Sequence, residues 1–357
     1  MRLKEAQVDS DTQALNRSTN MRMTRIDLEN REKQILSPFA AKSAESKGRL
    51  MPEEPCATRT EFQRDRDRII HSKSFRRLMH KTQVFLAPER DHFRTRLTHT
   101  IEVSQIARTI ARALNLNEDL TEAIALGHDL GHTPFGHNGE DVLNSIHPGG
   151  FEHNVQSLRV VDVIESTASR RGMNLTAEVR DGIVNHTGPV KPFTLEGQIV
   201  KLSDRIAYIN HDIDDALRSG VISIDDIPKS SLELFGYSHR ERIDAMVNDV
   251  IENSEGKDEI MQSEPFTKEL LTLRSFMFKN VYKSNLVKKE EDLAKVGVVI
   301  KALYDYFIEH EEKLPKDLQE IAKVEGINEA VKDFVAGMTD RYALSLYTDL
   351  FVPKGWK

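Results

Sequence analysis

From Arg59 onward, apolar residues recur every three to four positions along most of this chain, the period of an amphipathic helix, and strand-like alternation is rare. Ile101, Ile106, Ile110 and Ala113 mark one face of a helix starting near Arg96. Asn117 caps the next, EDLTEAIALGHDL, which Gly131 ends. The following TPFGH carries Pro134 and Gly136 and reads as a tight connector into a short helix, NGEDVLNSIH. His147-Pro148-Gly149-Gly150 then breaks the chain. Further helices are predicted at 152 to 171, at 177 to 186 after Thr176, and at 195 to 218 before Gly220. Amphipathic helix resumes beyond Ser230, with breaks at Ser263-Glu264-Pro265 and Leu314-Pro315. The polar, aperiodic residues 1 to 20 and the 37 to 58 stretch with its three prolines read as arm or loop. The expectation is an all-α protein: an N-terminal arm and loop over 1 to 58, partly flexible, a core over 59 to 230, and helices over 231 to 357 that pack on it or on a neighbouring subunit. No repeat at a period of 20 to 50 residues appears.

Composition sharpens this picture in three places. The 357 residues bound the domain count to one or two, and 30% charged residues with 6% aromatic ones suit a soluble helical protein. The net charge of -7 argues against a wholesale nucleic-acid coat, yet residues 59 to 96 hold eleven Lys/Arg against five Asp/Glu, a local home for an anionic ligand. The single cysteine, Cys56, excludes an internal disulfide, the first twenty residues have no apolar leader core, and no run approaches the ~18 apolar residues that span a bilayer. These features predict a cytoplasmic protein with no membrane contact.

Candidate chemistry starts at His128-Asp129. Among 13 histidines, about one His-Asp dipeptide arises by chance, and a second stands at His211-Asp212, so the pair alone carries little. A site for Mg²⁺, Mn²⁺ or Fe²⁺ mixes imidazole nitrogen with carboxylate oxygen and leaves positions open for water and substrate. Two more ligands are then needed from other helices, and His99 and Asp204 are the candidates. Asp204, Tyr208 and Asp212 follow each other at i, i+4, i+8, three polar groups on one face of an otherwise apolar helix. A solitary mid-helix Asp is ordinarily solvated, and His99 alone would be a cap or surface residue. The order H…HD…D, each member on a separate predicted helix, outweighs that.

That order, with the strings TEFQRDRDRIIHSKSFRRLMHKTQVF, RTRLTHTIEVSQIAR, HDLGHTPFGHNGE and LSDRIAYINHD, resembles the bacterial dGTPase-like deoxynucleoside triphosphate triphosphohydrolases of the HD-domain superfamily. The resemblance spans roughly Arg59 to Tyr347. It implies an all-α HD-domain core with additional C-terminal helices, and a reaction in which water cleaves a dNTP at the α-phosphorus, dGTP among the substrates, to give deoxynucleoside and tripolyphosphate. By the same resemblance His99, His128, Asp129 and Asp204 bind a divalent metal, Mg²⁺ or Mn²⁺, with Fe²⁺ or another transition metal as an alternative. His137 and Glu140 handle the proton, and His153 is a further catalytic histidine. Around them the expected substrate contacts are His132 and Arg96 on phosphate, Arg205 beside the ligand Asp204, and Arg274 with Tyr282 toward phosphate and sugar or base. Gln83 is expected on the 3′-hydroxyl, Tyr208 as the wall a 2′-hydroxyl would strike, and Asp212 as a carboxylate behind the metal ligands or on the substrate side rather than a second metal clamp. The family also implies a homo-oligomer, dimer to hexamer, with nucleotide activation. Single-stranded DNA binding through the basic segment stays open.

Three other readings compete. Guanosine tetraphosphate hydrolases carry acidic residues three and four positions after the His of the pair, where this chain has Gly131 and His132. A nucleotidase acting on other nucleotides would share the ligands but not require the arginine set. A regulatory HD protein that binds nucleotide or DNA without turnover would be expected to have lost ligands, and all four are present.

Overall fold

The computed structural model describes residues 22–83, 94–167, 170–282 and 290–354. Within them the chain is all-α: sixteen α-helices, with pairing of extended backbone limited to three isolated bridges. In chain order these are α1 (Arg25–Ile35), α2 (Glu61–Ile70), α3 (Lys73–Arg77), α4 (Arg96–Ala113), α5 (Glu118–Gly127), α6 (Gly136–Ile146), α7 (His153–Arg159) and α8 (Ala177–Val184). They continue as α9 (Leu195–Arg218), α10 (Lys229–Phe235), α11 (His239–Ser254), α12 (Glu264–Met277), α13 (Glu290–Glu309), α14 (Lys316–Glu325), α15 (Ile327–Ala336) and α16 (Asp340–Phe351). The arm residues 1 to 20 lie outside the described residues.

The helices that carry the candidate chemistry begin where side chains can cap them. Thr95 and Thr98 form a capping box at α4, the Asn117 side chain accepts the Leu120 N–H at α5, and Thr194 accepts the Gly197 N–H at α9. α4 packs between α5 and α9, with α2 and α8 against α5. The buried stripe of α4 is Val103, Ile106, Ala107, Ile110 and Ala111. Ile106 and Ile110 lie on it as expected, but Ile101 is exposed, because five residues back from Ile106 is about 140° around the helix, and Ala113 is exposed as well. α5 stops at Gly127 rather than running to Gly131, so Asp129 falls in the turn that follows it. The helix expected over 152 to 171 is α7 plus a π-helical segment, Val160–Ile164. Ser263 caps α12 and Pro265 stands in its first turn, so that expected break is a helix start.

Two hydrophobic cores share the site. The first runs from Ala40 through α4, α5 and α9 to Leu273 and Val281, so it takes in the chain as far as α12 apart from α6 and its flanks. The second gathers Phe135, Leu143 and Phe151 with Val296, Ile300, Leu303 and Val331, which seats α13 to α16 on α6. The packed structure also reaches upstream of Arg59. Arg49, almost fully buried, binds Asp65, Glu61 and the Asn174 carbonyl (2.6 Å), and Glu178 accepts from Ser46 and the Lys47 N–H. Residues 37 to 58 are thus loop apart from a 3-10 turn at Ser43–Glu45, yet held by side-chain bonds to the core, which an apolar count does not register.

Candidate active site

The crossing of α4, α5 and α9 buries polar groups. His99 on α4 is 1% exposed, His128 at the C-cap of α5 is 0% exposed and Asp129 is 3% exposed. His99 Nε2 lies 3.1 Å from Asp204 Oδ1, and His128 Nε2 lies 3.4 Å from Asp129 Oδ1 and 3.8 Å from Asp204 Oδ1. His128 Nδ1 stands 2.6 Å from the Ala125 carbonyl, which can only accept, so Nδ1 carries the proton and Nε2 turns a lone pair toward the carboxylates. Burial opposes ionisation of Asp129, yet His128, His132 and Arg96 hold its carboxyl well below the usual carboxylate range. Burial likewise opposes Asp204, and the His99 hydrogen bond with the neighbouring His128 imidazole keeps it far below that range.

A buried and a half-buried carboxylate, both ionised beside imidazole lone pairs, are costly unless a cation joins them. The donor set is the mixed nitrogen and oxygen kind that Mg²⁺, Mn²⁺ and Fe²⁺ accept. Ligand atoms of His99, His128 and Asp129 lie within 4.8 Å of one another, as do those of His128, His186 and Asp204. The residues therefore fit a divalent cation. His186 is the member that sequence reasoning missed. It lies just beyond α8, its Nδ1 donates to the Ile183 carbonyl at 2.7 Å, and its Nε2 lies 4.0 Å from Asp129 Oδ1, a posture that repeats that of His128. Burial, with the neighbouring His128 and His153 imidazoles, pulls its imidazole down to about 3.

A second cluster adjoins the first. Phe135 and Gly136 both adopt left-handed backbone (φ 64 and 59), and this turn swings the start of α6 so that Glu140 stands among three histidines. Its Oε2 accepts from His137 Nδ1 (3.2 Å), and its Oε1 accepts from His153 Nδ1 (2.8 Å) and the His153 N–H (2.9 Å). His132 stacks on His153 with ring centroids 4.0 Å apart, and its Nε2 lies 3.3 Å from Asp129 Oδ1. The two clusters thus meet through His132. Burial raises the Glu140 carboxyl, but bonds from His137 and His153 overwhelm it and hold the group well below the carboxylate range. Burial pulls the His153 imidazole down, and the Glu140 bond and charge outweigh it, leaving the pKa raised. His132 is driven well below an ordinary histidine by burial and by the Arg96 and His153 charges. His137 is the open member, its side chain 64% exposed.

The expected substrate residues flank these clusters. Arg96, 1% exposed, donates from Nη1 to Asp129 Oδ2 at 2.8 Å, while its Nε and Nη2 are buried without hydrogen-bond partners among the described residues. Gln83 is half-buried with Oε1 unpartnered, at the edge of the described residues. Arg205 and Arg274 are exposed, and Tyr208 is half-buried one turn beyond Asp204. Burial raises the Tyr208 hydroxyl, and the charges of Arg274, Asp204, Arg205 and Asp212 all reach it, so these residues form one flank. Tyr282 donates its hydroxyl to Asp212, whose carboxyl burial pushes up to about 7. Among the described residues Asp212 joins no cation-holding group. His211 instead packs edge-on against His99, ring centroids 5.8 Å apart.

An all-helical domain holding the order His, His-Asp, Asp in one buried nest defines the class of HD-domain hydrolases, and comparison with known proteins agrees. Residues 96–209 match the HD domain and residues 260–349 the phosphohydrolase-associated domain. A deoxyguanosinetriphosphate triphosphohydrolase-like protein of Caldanaerobacter subterraneus subsp. tengcongensis is 58% identical over 325 residues, covering 91% of this chain and 95% of that one. A protein of the same description from Clostridium tetani is 48% identical over 338 residues, covering 92% and 96%. This chain belongs to the deoxyguanosinetriphosphate triphosphohydrolase-like family of HD-domain phosphohydrolases. A solved phosphohydrolase from Bacteroides thetaiotaomicron aligns at TM-score 0.49 and 18% identity over 79% of this chain and 68% of that one, too distant to add to the argument. Among the described residues no helix is long and apolar enough to cross a membrane.

Proposed function

We propose that this protein hydrolyses deoxynucleoside triphosphates, dGTP among them, at the α-phosphorus, releasing deoxynucleoside and inorganic tripolyphosphate. The observation that carries the reading is the junction of the two clusters: a cation-accepting nest and a Glu140-centred set of imidazoles that meet at His132, with two free donor groups of Arg96 beside them. His99, His128, Asp129 and Asp204 would hold Mg²⁺ or Mn²⁺, or an ion such as Fe²⁺, with His186 alongside. Such a cation lowers the pKa of a coordinated water and neutralises phosphate oxygen. The unpartnered Arg96 Nε and Nη2 offer hydrogen bonds to the α-phosphate, and His132, its Nε2 turned to Asp129, stands beside the same position. Glu140, ionised, orients His137 and His153 and stabilises the charged form of His153. Open to substrate, His137 protonates the departing 5′-oxygen, a role worth about 10²- to 10⁴-fold in rate. Arg205 and Arg274 supply charge for the β- and γ-phosphates, and the Tyr208, Asp212 and Tyr282 flank with Gln83 receives the deoxynucleoside.

The DNA-binding alternative is the weaker reading. Arg59, Arg64, Arg66, Arg68 and Arg94 of the basic segment are paired with carboxylates of the chain itself, so much of its charge is already answered. The test is a screen of the four dNTPs, singly and in mixtures, with Mg²⁺ or Mn²⁺, reading products on wild type and Asp129→Ala. Tripolyphosphate from wild type and none from the variant is expected. Orthophosphate released from dNMP alone would point to a nucleotidase. Sizing the protein with and without nucleotide in the same experiment addresses the expected homo-oligomer and its activation.

A further inference from the structure

Asp340 is the first residue of α16, among the C-terminal helices, yet its carboxylate is buried against the turn that launches α6. Oδ1 accepts the Phe135 N–H at 2.9 Å. Oδ2 accepts the Thr82 N–H at 3.0 Å and also the Thr82 hydroxyl. Phe135 has φ 64, a conformation that costs a residue with a Cβ free energy and persists where its surroundings enforce it. The next residue, Gly136, lies flush on the 82–83 backbone: a Cβ there would stand 3.2 Å from the Gln83 carbonyl and 3.4 Å from that of Thr82. A second tie runs parallel, since the buried Lys81 ammonium donates to the His132 carbonyl and to that of Ala336 at 2.9 Å. One carboxylate from the far end of the chain therefore spans the two segments that bear Gln83 on one side and His137 with Glu140 on the other.

We infer that Asp340 is a positioning residue of the active site: its carboxylate holds the left-handed turn at Phe135 and so fixes His137 and Glu140 opposite Gln83. The inference rests on the reading of His137 and Glu140 as the proton-handling pair. The C-terminal helices thereby take part in turnover without touching substrate.

Asp340→Asn tests this, because whichever way its amide turns, the N–H of Phe135 or of Thr82 meets a donor and one side of the clamp opens. With dGTP, kcat should fall on the order of 10²-fold, as for a misplacement of about 1 Å, while KM stays within about threefold and bound metal is unchanged. Amide exchange across residues 133–140 should speed up. A kcat within about twofold of wild type overturns the inference. Should Asp340→Asn lose its helical fold, Thr82→Val, which removes only the hydroxyl bond, is read instead. It should show a smaller kcat loss of about threefold or more at unchanged KM, and an unaltered kcat overturns the inference there. Glu140→Ala separates the two levels: if it retains full kcat, the proton-handling reading itself fails, whereas an inactive Glu140→Ala beside a fully active Asp340→Asn sinks the positioning role alone.

Discussion

At the scale of single residues, the site depends on how imidazoles are turned. His128 and His186 each give the Nδ1 proton to a carbonyl three residues earlier, at 2.6 and 2.7 Å, so His128 turns Nε2 to the Asp129 and Asp204 carboxylates and His186 turns Nε2 to His153 Nε2 (3.3 Å) with Asp129 Oδ1 behind it (4.0 Å). This predetermined tautomer spares the side chains reorganisation when a cation arrives. Replacing His186 with Ala should weaken metal retention by about 10- to 100-fold in competition with a chelator, with the fold intact by circular dichroism. Retention equal to wild type would make His186 a packing residue only. His186 was illegible in the sequence for a physical reason. Its string, VNHTG, is an ordinary helix end, and nothing in one chain announces that the end of α8 abuts the end of α5. His99, the His128-Asp129 pair and Asp204 could be picked out because they follow one another in a characteristic order, two of them on helices and the pair at a helix end. Asp340 was not, since 205 residues separate it from Phe135.

Between elements, close approach sets the geometry. A Cβ on Gly131 would lie 2.2 Å from the Ser157 nitrogen, 2.5 Å from the Gln156 carbonyl carbon and 2.6 Å from the His153 carbonyl oxygen, all backbone of α7. The Gly131 N–H also donates to Ser157 Oγ at 2.9 Å. The chain after the His-Asp pair thus touches the helix that carries His153, and only glycine permits it. Gly131→Ala should destabilise the protein by about 1–3 kcal/mol and depress kcat by pushing His153 away from Glu140. Unchanged unfolding temperature and turnover would show that α7 shifts at no cost. In the sequence Gly131 reads merely as a helix terminator, and α5 in fact ends four residues earlier. Asn117 caps its helix, and Thr176 marks a helix start without a side-chain bond. Asn117 was a better guide than single apolar positions, because a cap is local while burial depends on which neighbour arrives. Ile101 and Ala113 show the latter.

The whole molecule is held by polar ties that cross long stretches of chain, and one of them titrates. Glu196, fully buried at the start of α9, accepts the Ala41 N–H at 3.0 Å and the Asn117 N–H at 2.9 Å through the same oxygen, tying residues upstream of Arg59 to the core. Burial raises its carboxyl to about 7 from an ordinary 4.5, against the pull of those backbone bonds. Between these values the folded protein keeps a proton that the unfolded chain has released. Stability from this group is therefore full below pH 4.5, is lost as pH rises to 7, and is level above that. The stability of Glu196→Gln relative to wild type should accordingly improve by up to about 3 kcal/mol across that window; a difference that is flat with pH would contradict the assignment. At this scale too stands the central claim, that the two clusters act together on the α-phosphorus of a deoxynucleoside triphosphate. The most direct measurement is hydrolysis of dGTP in ¹⁸O-water with mass analysis of both products. Attack at the α-phosphorus predicts one ¹⁸O in tripolyphosphate and none in deoxyguanosine, whereas label in the nucleoside, or dGMP with pyrophosphate as products, would contradict the account.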